Sequence, residues 1–396
     1  MKVKPFYQPP SLLFRQAQSV LNFARLIKWE KLPSWLFNSG FKCLPVANGS
    51  LGMGCIGYPF HPVWEMTTGC NLKCIHCHAS AGRRRPDELT TEEGKKLIAE
   101  IAKIEEFRML VFTGGEPLVR PDLFTLLAYG QSLGFNLMIA TNGTLIDEKM
   151  AKELKRYGVV GLAISFDHPD CKVQNYIRGK EDAFELALRG IRACRKAGLA
   201  LQMNVTAMQY NFSALSEIVD FAEKEKSDIL LMYQLVPVGR GKNLQDVVLN
   251  RKENEKLLTF LSQKQRKIRT TIEPVAGPQY WAYLLSQNGK NNGTYLKRVE
   301  KVFYGCTAGS GIVYIKPNGE VWPCPFLEIP AGNVREKPFS EIWRTSPLFN
   351  NLRRKKETLK GRCGICEYRT ICGGCRGRAY AYAGDYLAED PSCFLR

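Results

Sequence analysis

Three cysteines on one short loop, Cys70-Asn-Leu-Lys-Cys74-Ile-His-Cys77, carry the most specific chemistry in this 396-residue chain. Three thiolates at C-x3-C-x2-C spacing bind three irons of a [4Fe–4S] cube, and with no fourth cysteine at useful spacing the last iron keeps an open position. Structural zinc sites close four ligands, so this spacing suits zinc poorly, although His76 and His78 leave that alternative standing. Seven more cysteines come late in the chain: Cys306, Cys324, Cys363, Cys366, Cys372, Cys375 and Cys393. These two groups take ten of the 14 cysteines, and grouped thiols in a reducing compartment mean metal and not a disulfide framework. The C-x2-C-x5-C-x2-C run would also make a four-thiolate zinc site, at the expense of stranding Cys306, Cys324 and Cys393. Cys43, Cys55, Cys171 and Cys194 are scattered and read as small buried hydrophobes.

A loop of ligands needs a rigid frame, and the chain around it alternates strand and helix. β runs are predicted at 63–67, 109–114, 136–143, 161–167, 201–207 and 229–236, with helices over 91–104, 121–133, 147–157, 183–197 and 213–225. Thr90-Thr91-Glu92-Glu93 and Asp147-Glu148 supply helix-start signals. Six strands separated by helices imply parallel βαβ units, an α/β fold. The alternation falters after Arg240, so a partial (β/α)6 TIM-like barrel is expected, with ligands at the C-terminal ends of its strands. The expected organisation is a basic N-terminal arm over 1–59 with an amphipathic helix at 11–30, the barrel over 60–240, a helical connection over 241–303 and a metal-stapled region over 304–396. Within the connection, 254–264 reads as helix and IEPVAGPQYW as a loop.

The first cysteine group is the signature of the radical S-adenosylmethionine (radical SAM) superfamily, which this sequence resembles over more than those residues. Thr113-Gly114-Gly115-Glu116-Pro117, one βα unit later, looks like the family's GGE motif. The resemblance implies that an open iron chelates the amino and carboxylate groups of SAM, with Gly114 and Gly115 allowing close approach and Glu116 accepting from the methionine ammonium. It further implies Asn142 at the strand-three turn, Ser165 and Asp167 near the ribose, and Asn204 and Leu235-Val236-Pro237 along sugar and adenine. Arg178 would reach the cofactor carboxylate and His76 would pack near the adenine. The late cysteines resemble the SPASM domain, which holds two auxiliary iron–sulfur clusters. The family pattern sorts Cys363, Cys366, Cys372 and Cys393 to one cluster and Cys306, Cys324 and Cys375 to the other. The second set lacks an evident fourth ligand, open for substrate, a non-cysteine group, Cys43 or Cys55. One departure is Cys372-Gly-Gly-Cys375, where much of the family spaces these cysteines by three residues.

Lys and Arg number 56 against 38 Asp and Glu, a formal charge of +18. That excess favours an acidic partner, such as a ferredoxin- or flavodoxin-like electron donor, or a polycarboxylate substrate. No nucleic-acid-binding signature accompanies it, so no nucleic acid is expected. No run of 18 apolar residues is present and the N-terminus lacks a clean signal-peptide core, which makes the cytoplasm the expected compartment. Peripheral membrane contact through the basic arm remains open.

Motif texture narrows the reaction. HCHASAG, DELTTEE, FELALRGI and CGGCRGRAYAYAGDYLAEDPSC resemble the tetrapyrrole-modifying branch of the superfamily. The resemblance implies hydrogen abstraction from a porphyrin side chain followed by fragmentation, with propionates suited to the basic excess. Peptide or metal-cofactor maturation is the second reading, and an iron–sulfur electron carrier, disfavoured by the GGE motif, the third. Tyr304, Tyr314 and Asp167 are equal candidates for a proton donor, and no catalytic residue is singled out.

Overall fold

Short β-rich runs bounded by helix caps produce a parallel sheet whose strand order follows the chain. In the computed structural model the described residues are 61–104, 107, 109–264, 267–268, 270–287 and 305–395. The expected helix at 11–30, Cys43, Cys55 and Tyr304 lie outside them. The strands are β1 His61–Glu65, β2 Met109–Thr113, β3 Asn136–Thr141, β4 Val159–Ser165, β5 Ala200–Ala207 and β6 Ile229–Gln234. Each pairs in parallel with the next. The connecting helices are α1 Thr91–Ala102, α2 Leu123–Ser132, α3 Glu148–Arg156, α4 Cys171–Arg178, α5 Ala183–Ala197 and α6 Leu215–Lys224. A capping box joins Thr90 and Glu93 at the start of α1, and the Asp147 carboxylate accepts from Met150 N at the start of α3. α4 was not anticipated, because CKVQNYIR offers only Val173 and Ile177 as an apolar stripe. Its first residue, Cys171, is exposed, which corrects the reading of that thiol as buried, whereas Cys194 is buried in α5.

The sheet continues beyond the expected six strands. β7 Thr271–Val275 pairs in parallel with β6, so IEPVAGPQYW is not a loop; it supplies most of this strand and the start of the helix Gln279–Gln287. Pro274 is tolerated because β7 is an edge strand, where the missing N–H leaves no ladder bond unmade. At the opposite edge β8 Ile312–Ile315 pairs in parallel with β1 and in antiparallel with β9 Glu320–Trp322, which pairs with β10 Gly332–Asn333. The result is an open sheet, β10-β9-β8-β1-β2-β3-β4-β5-β6-β7.

One face of the sheet is covered by helices. Trp64, Phe112, Ile139, Ile164 and Met203 are wholly buried there with the apolar stripes of α1, α2 and α5. Each large side chain so buried contributes ~1.5–3 kcal/mol. The C-terminal region shares this core, the Trp343 ring lying 4.9 Å from Phe107. The opposite face is concave and lines a cavity.

Candidate functional site

The Cys70–Cys77 loop leaves the C-terminal end of β1 and is held from three sides. From β2, Gly115 N donates to Thr67 O at 2.7 Å and Glu116 N to Gly69 O at 2.8 Å. A Cβ on Gly115 would lie 2.3 Å from Gly69 O, and one on Gly114 2.7 Å from Thr67 O. These glycines therefore let two stretches of backbone meet, which seats the cysteine loop. From α4, the carbonyls of Arg178 and Ile177 accept from Lys73 N and Ile75 N at 3.2 and 3.0 Å. Gly179, at φ +67°, closes that helix where a Cβ would press on Lys73 O. From the end of β6, Arg240 N donates to Cys77 O at 3.0 Å and its Nε to Cys74 O at 2.8 Å. The sequence reading missed Arg240, and its only local signal was Gly239, whose positive φ of 55° lets the chain turn beside His78 O.

The residues expected around SAM divide into those that line the cavity and those behind it. Gly114, Gly115, Asn142, Ser165, Asn204, Arg178, His76 and Val236 line it together with Cys70, Cys74 and Cys77. Glu116 and Asp167 do not, and both are wholly buried. Glu116 accepts from Thr141 Oγ1 at 2.8 Å, Asn142 N at 2.8 Å and Leu118 N at 3.1 Å, tying the end of β2 to that of β3. Burial pushes its carboxyl up to about 7 in spite of these donors. In this geometry its carboxylate shapes the strand-end turn. Asn142 in turn donates to Asn71 Oδ1 at 2.8 Å, beside Cys70.

Asp167 supports the site from below. Its Oδ2 lies 2.6 Å from Arg178 Nη2 and 3.6 Å from His76 Nε2, while Oδ1 accepts from Thr206 N at 2.8 Å. Arg178 Nη1 reaches Cys74 Sγ at 3.8 Å. Burial, reinforced by Arg178 and Arg240, holds His76 down at about 4, so its ring is neutral near pH 7. His76 Nδ1 is buried with no hydrogen-bond partner among the described residues. Ser165 and Asn204 are register partners on β4 and β5, facing the cavity side by side.

The late cysteines form two neighbourhoods. Cys306, Cys324 and Cys375 line the same cavity as the first group, whereas Cys363, Cys366, Cys372 and Cys393 do not. Burial pushes Cys324 well up and Cys306 and Cys375 add to the push; Cys363 and Cys393 act likewise on buried Cys372. Burial also holds Cys70, Cys375 and Cys393 each at about 11. Buried thiols of this kind become thiolates when a metal supplies the positive charge, so the donor sets fit iron–sulfur clusters. Among the described residues no three His, Cys, Asp or Glu side chains close to the span of a single metal ion. The cavity between the two groups has a volume of about 360 Å³. Tyr314, an expected proton-donor candidate, lines it and sits 3.2 Å from His78 Nε2; Asp167 lies outside it.

Comparison with known proteins agrees with this layout. Residues 64–222 match the radical SAM superfamily, and residues 306–367 match the SPASM iron–sulfur cluster-binding domain. The chain is 37% identical over 338 residues to the AdoMet-dependent heme synthase of Methanosarcina barkeri, covering 84% of this chain and 95% of that protein. It is 36% identical over 335 residues to the enzyme of the same name from Nitratidesulfovibrio vulgaris, covering 83% and 90%. In fold it is similar to Streptococcus suis SuiB bound to precursor peptide SuiA, at 20% identity and a TM-score of 0.67, covering 85% of this chain and 76% of that one. A cysteine loop seated at the end of a parallel sheet, a second set of thiols facing it and relatives matched over nearly their full length lead to one assignment: the chain belongs to the radical SAM superfamily and carries a SPASM domain.

Proposed function

We propose that this enzyme abstracts a hydrogen atom from a tetrapyrrole propionate side chain, that the carboxylate then leaves as CO2 to give a vinyl group, and that the electron left over passes to an auxiliary cluster. The observation that carries this reading is the shared cavity. It runs along the inner face of the sheet, over Val63, Val111, Met138, Ala163 and Leu231, and both the first cysteine group and Cys306, Cys324 and Cys375 open onto it. An apolar floor with polar groups at one end suits a flat macrocycle whose acidic edge is held at the reacting end. The heme synthases that this chain resembles over most of its length support the same substrate class.

Superfamily membership makes a [4Fe–4S] cluster, SAM and auxiliary iron–sulfur clusters the cofactors of this enzyme. When bound, the first cluster and SAM supply a 5′-deoxyadenosyl radical. In the proposed assignment Cys70, Cys74 and Cys77 hold that cluster. Ser165, Asn204, Val236 and His76 lie along the nucleoside, with His76 Nδ1 free to meet it. Arg178 is turned toward the cofactor carboxylate by Asp167, and Gly114, Gly115, Glu116 and Asn142 fix the loop. Cys306, Cys324 and Cys375 hold an auxiliary cluster with a face toward the substrate, and Cys363, Cys366, Cys372 and Cys393 a second one behind it. A one-electron donor must serve the first cluster, and the +18 charge favours an acidic one.

The test is anaerobic reconstitution, then incubation with SAM, a strong reductant and iron-coproporphyrin, with mass spectrometry of porphyrin and nucleoside together. Deoxyadenosine accompanied by a porphyrin lighter by CO2 and two hydrogens, the equivalent of formic acid, for each propionate that reacted supports the reading. Deoxyadenosine beside an untouched porphyrin refutes the substrate and moves it to peptide maturation. No deoxyadenosine from fully loaded protein refutes the placement of SAM.

A further inference from the structure

Three arginines place a donor against a cysteine sulfur, and they differ in one respect; a fourth, Arg240, meets the first loop only at backbone carbonyls. Arg178, 3.8 Å from Cys74 Sγ, is neutralised by Asp167 at 2.6 Å. Arg378, whose backbone N donates to Cys375 Sγ at 3.4 Å, is paired with Asp390 at 3.3 Å. Arg376 is wholly buried, and its Nη2 reaches Cys363 Sγ at 3.7 Å. Its other donors go to backbone carbonyls, Tyr386 O at 2.9 Å, Ala388 O at 2.6 Å and Gly374 O at 3.3 Å. Among the described residues no carboxylate lies within ion-pair distance of it, in contrast to the two others. Lys355 adds a second cation on this side, its ammonium donating to Cys306 O and no carboxylate pairing it among the described residues.

A buried guanidinium without an anion is costly, and carbonyl dipoles offset only part of the cost. The anion that completes this site is a thiolate of Cys363 bearing a cluster. We propose that Arg376 sets the reduction potential of the cluster held by Cys363, Cys366, Cys372 and Cys393, placing it above that of the cluster held by Cys70, Cys74 and Cys77. Reduction transfers one electron to the cluster, makes no bond and moves no proton, so its main consequence is one added negative charge. A fixed cation in a low-dielectric interior, donating to a ligand sulfur, stabilises that charge. The Arg178–Asp167 pair is close to neutral from outside and does so far less. Arg240, also without a carboxylate within ion-pair distance among the described residues, spends its donors on the carbonyls of Cys74, Cys77 and Ala81, so an uncompensated cation donates to a ligand sulfur only at the C-terminal cluster, and that contact directs an electron arriving from the cavity there.

The inference rests on the proposed ligand assignment, which iron and sulfide counting tests separately: Cys363→Ala must lower the content by one cluster, and full retention would overturn both. The decisive experiment is a dithionite redox titration followed by electron paramagnetic resonance on the reconstituted full-length protein. The first cluster is identified by its spectral change on adding SAM. Arg376→Gln is expected to move one auxiliary midpoint to more negative potential and leave the first cluster unmoved, while Arg376→Lys restores most of the shift. An unmoved auxiliary midpoint at full iron content overturns the proposal. If Arg376→Gln fails to hold iron, Asp167→Asn provides the converse reading: uncovering Arg178 must raise the first cluster's midpoint, and no rise overturns the counter-ion argument.

Discussion

The carboxylate of Asp167 and the guanidinium of Arg178 stand 2.6 Å apart beneath the cysteine loop, both buried, on segments that follow β4 and end α4. Removing one partner leaves the other charge buried and unpaired. Asp167→Ala is expected to destabilise the fold by about 3–5 kcal/mol and to weaken SAM binding at least tenfold. Thermal melting and calorimetric titration with SAM measure the two effects. Undiminished SAM affinity would show that the pair does not position the cofactor site.

Gly115 is a packing residue before it is anything else. Its absent Cβ would stand 2.3 Å from Gly69 O and 2.8 Å from the Cβ of Cys70. Gly115→Ala therefore displaces the cysteine loop and not the auxiliary cysteines. On the proposed assignment of three [4Fe–4S] clusters, bound iron is expected to fall from about twelve to about eight per chain. Iron analysis with Mössbauer spectroscopy reads this directly, and unchanged iron would sink the idea.

Glu116 gives stability a pH dependence. Its folded-state value of about 7 lies above the ordinary 4.5, so the folded form binds a proton that the unfolded chain releases first. Its contribution is complete below about 4.5 and is lost as pH rises through about 7, a change of ~3 kcal/mol. Glu116→Gln cannot ionise and should show a flatter profile. Denaturant midpoints at pH 5.5 and 8 compare the two, and equal slopes would refute the assignment.

Glu65 and Lys316 join β1 to the segment after β8 within the sheet, with the Glu65 carboxylate wholly buried. Lys316→Met should cost about 3–5 kcal/mol by leaving that carboxylate unpaired. The double variant Glu65→Leu/Lys316→Met should recover most of the loss. Urea unfolding of the single and double variants gives the coupling, and strict additivity would exclude it.

What the sequence disclosed follows what local pattern can carry. Six strands and most helices were readable because apolar spacing reports burial directly, and the cysteine groups because ligand chemistry restricts residue type. β7 was lost to Pro274, Gly277 and Pro278, turn signals in the interior of a sheet but permissible on an edge. α4 was lost because its buried residues include Gln174 and Arg178, which bind Asp167 and its neighbouring backbone, not an apolar layer. Glu116 and Asp167 were found as motif members but assigned to the cofactor. Their side chains turn inward to Thr141 and Arg178, partners that no spacing rule reports. Arg240 was invisible for a plainer reason: it meets Cys74 across 166 positions.

The parallel pairing of β1 with β8 has a consequence for how the chain is made. Glu65 and Lys316, which brace that pairing, are 251 positions apart. During synthesis β1 emerges early, and its backbone on one side stays unpaired until the C-terminal segment leaves the ribosome. For that interval the nascent chain presents an open strand edge able to capture neighbouring chains. The first cysteine loop is rooted on this strand; its holds from Glu116, Arg178 and Arg240 form earlier, while the strand beneath it still lacks one neighbour. Premature termination before β8 should therefore yield aggregates, not a working barrel without its appendage: the region that supplies the late cysteines also closes the strand on which the first cysteine loop stands.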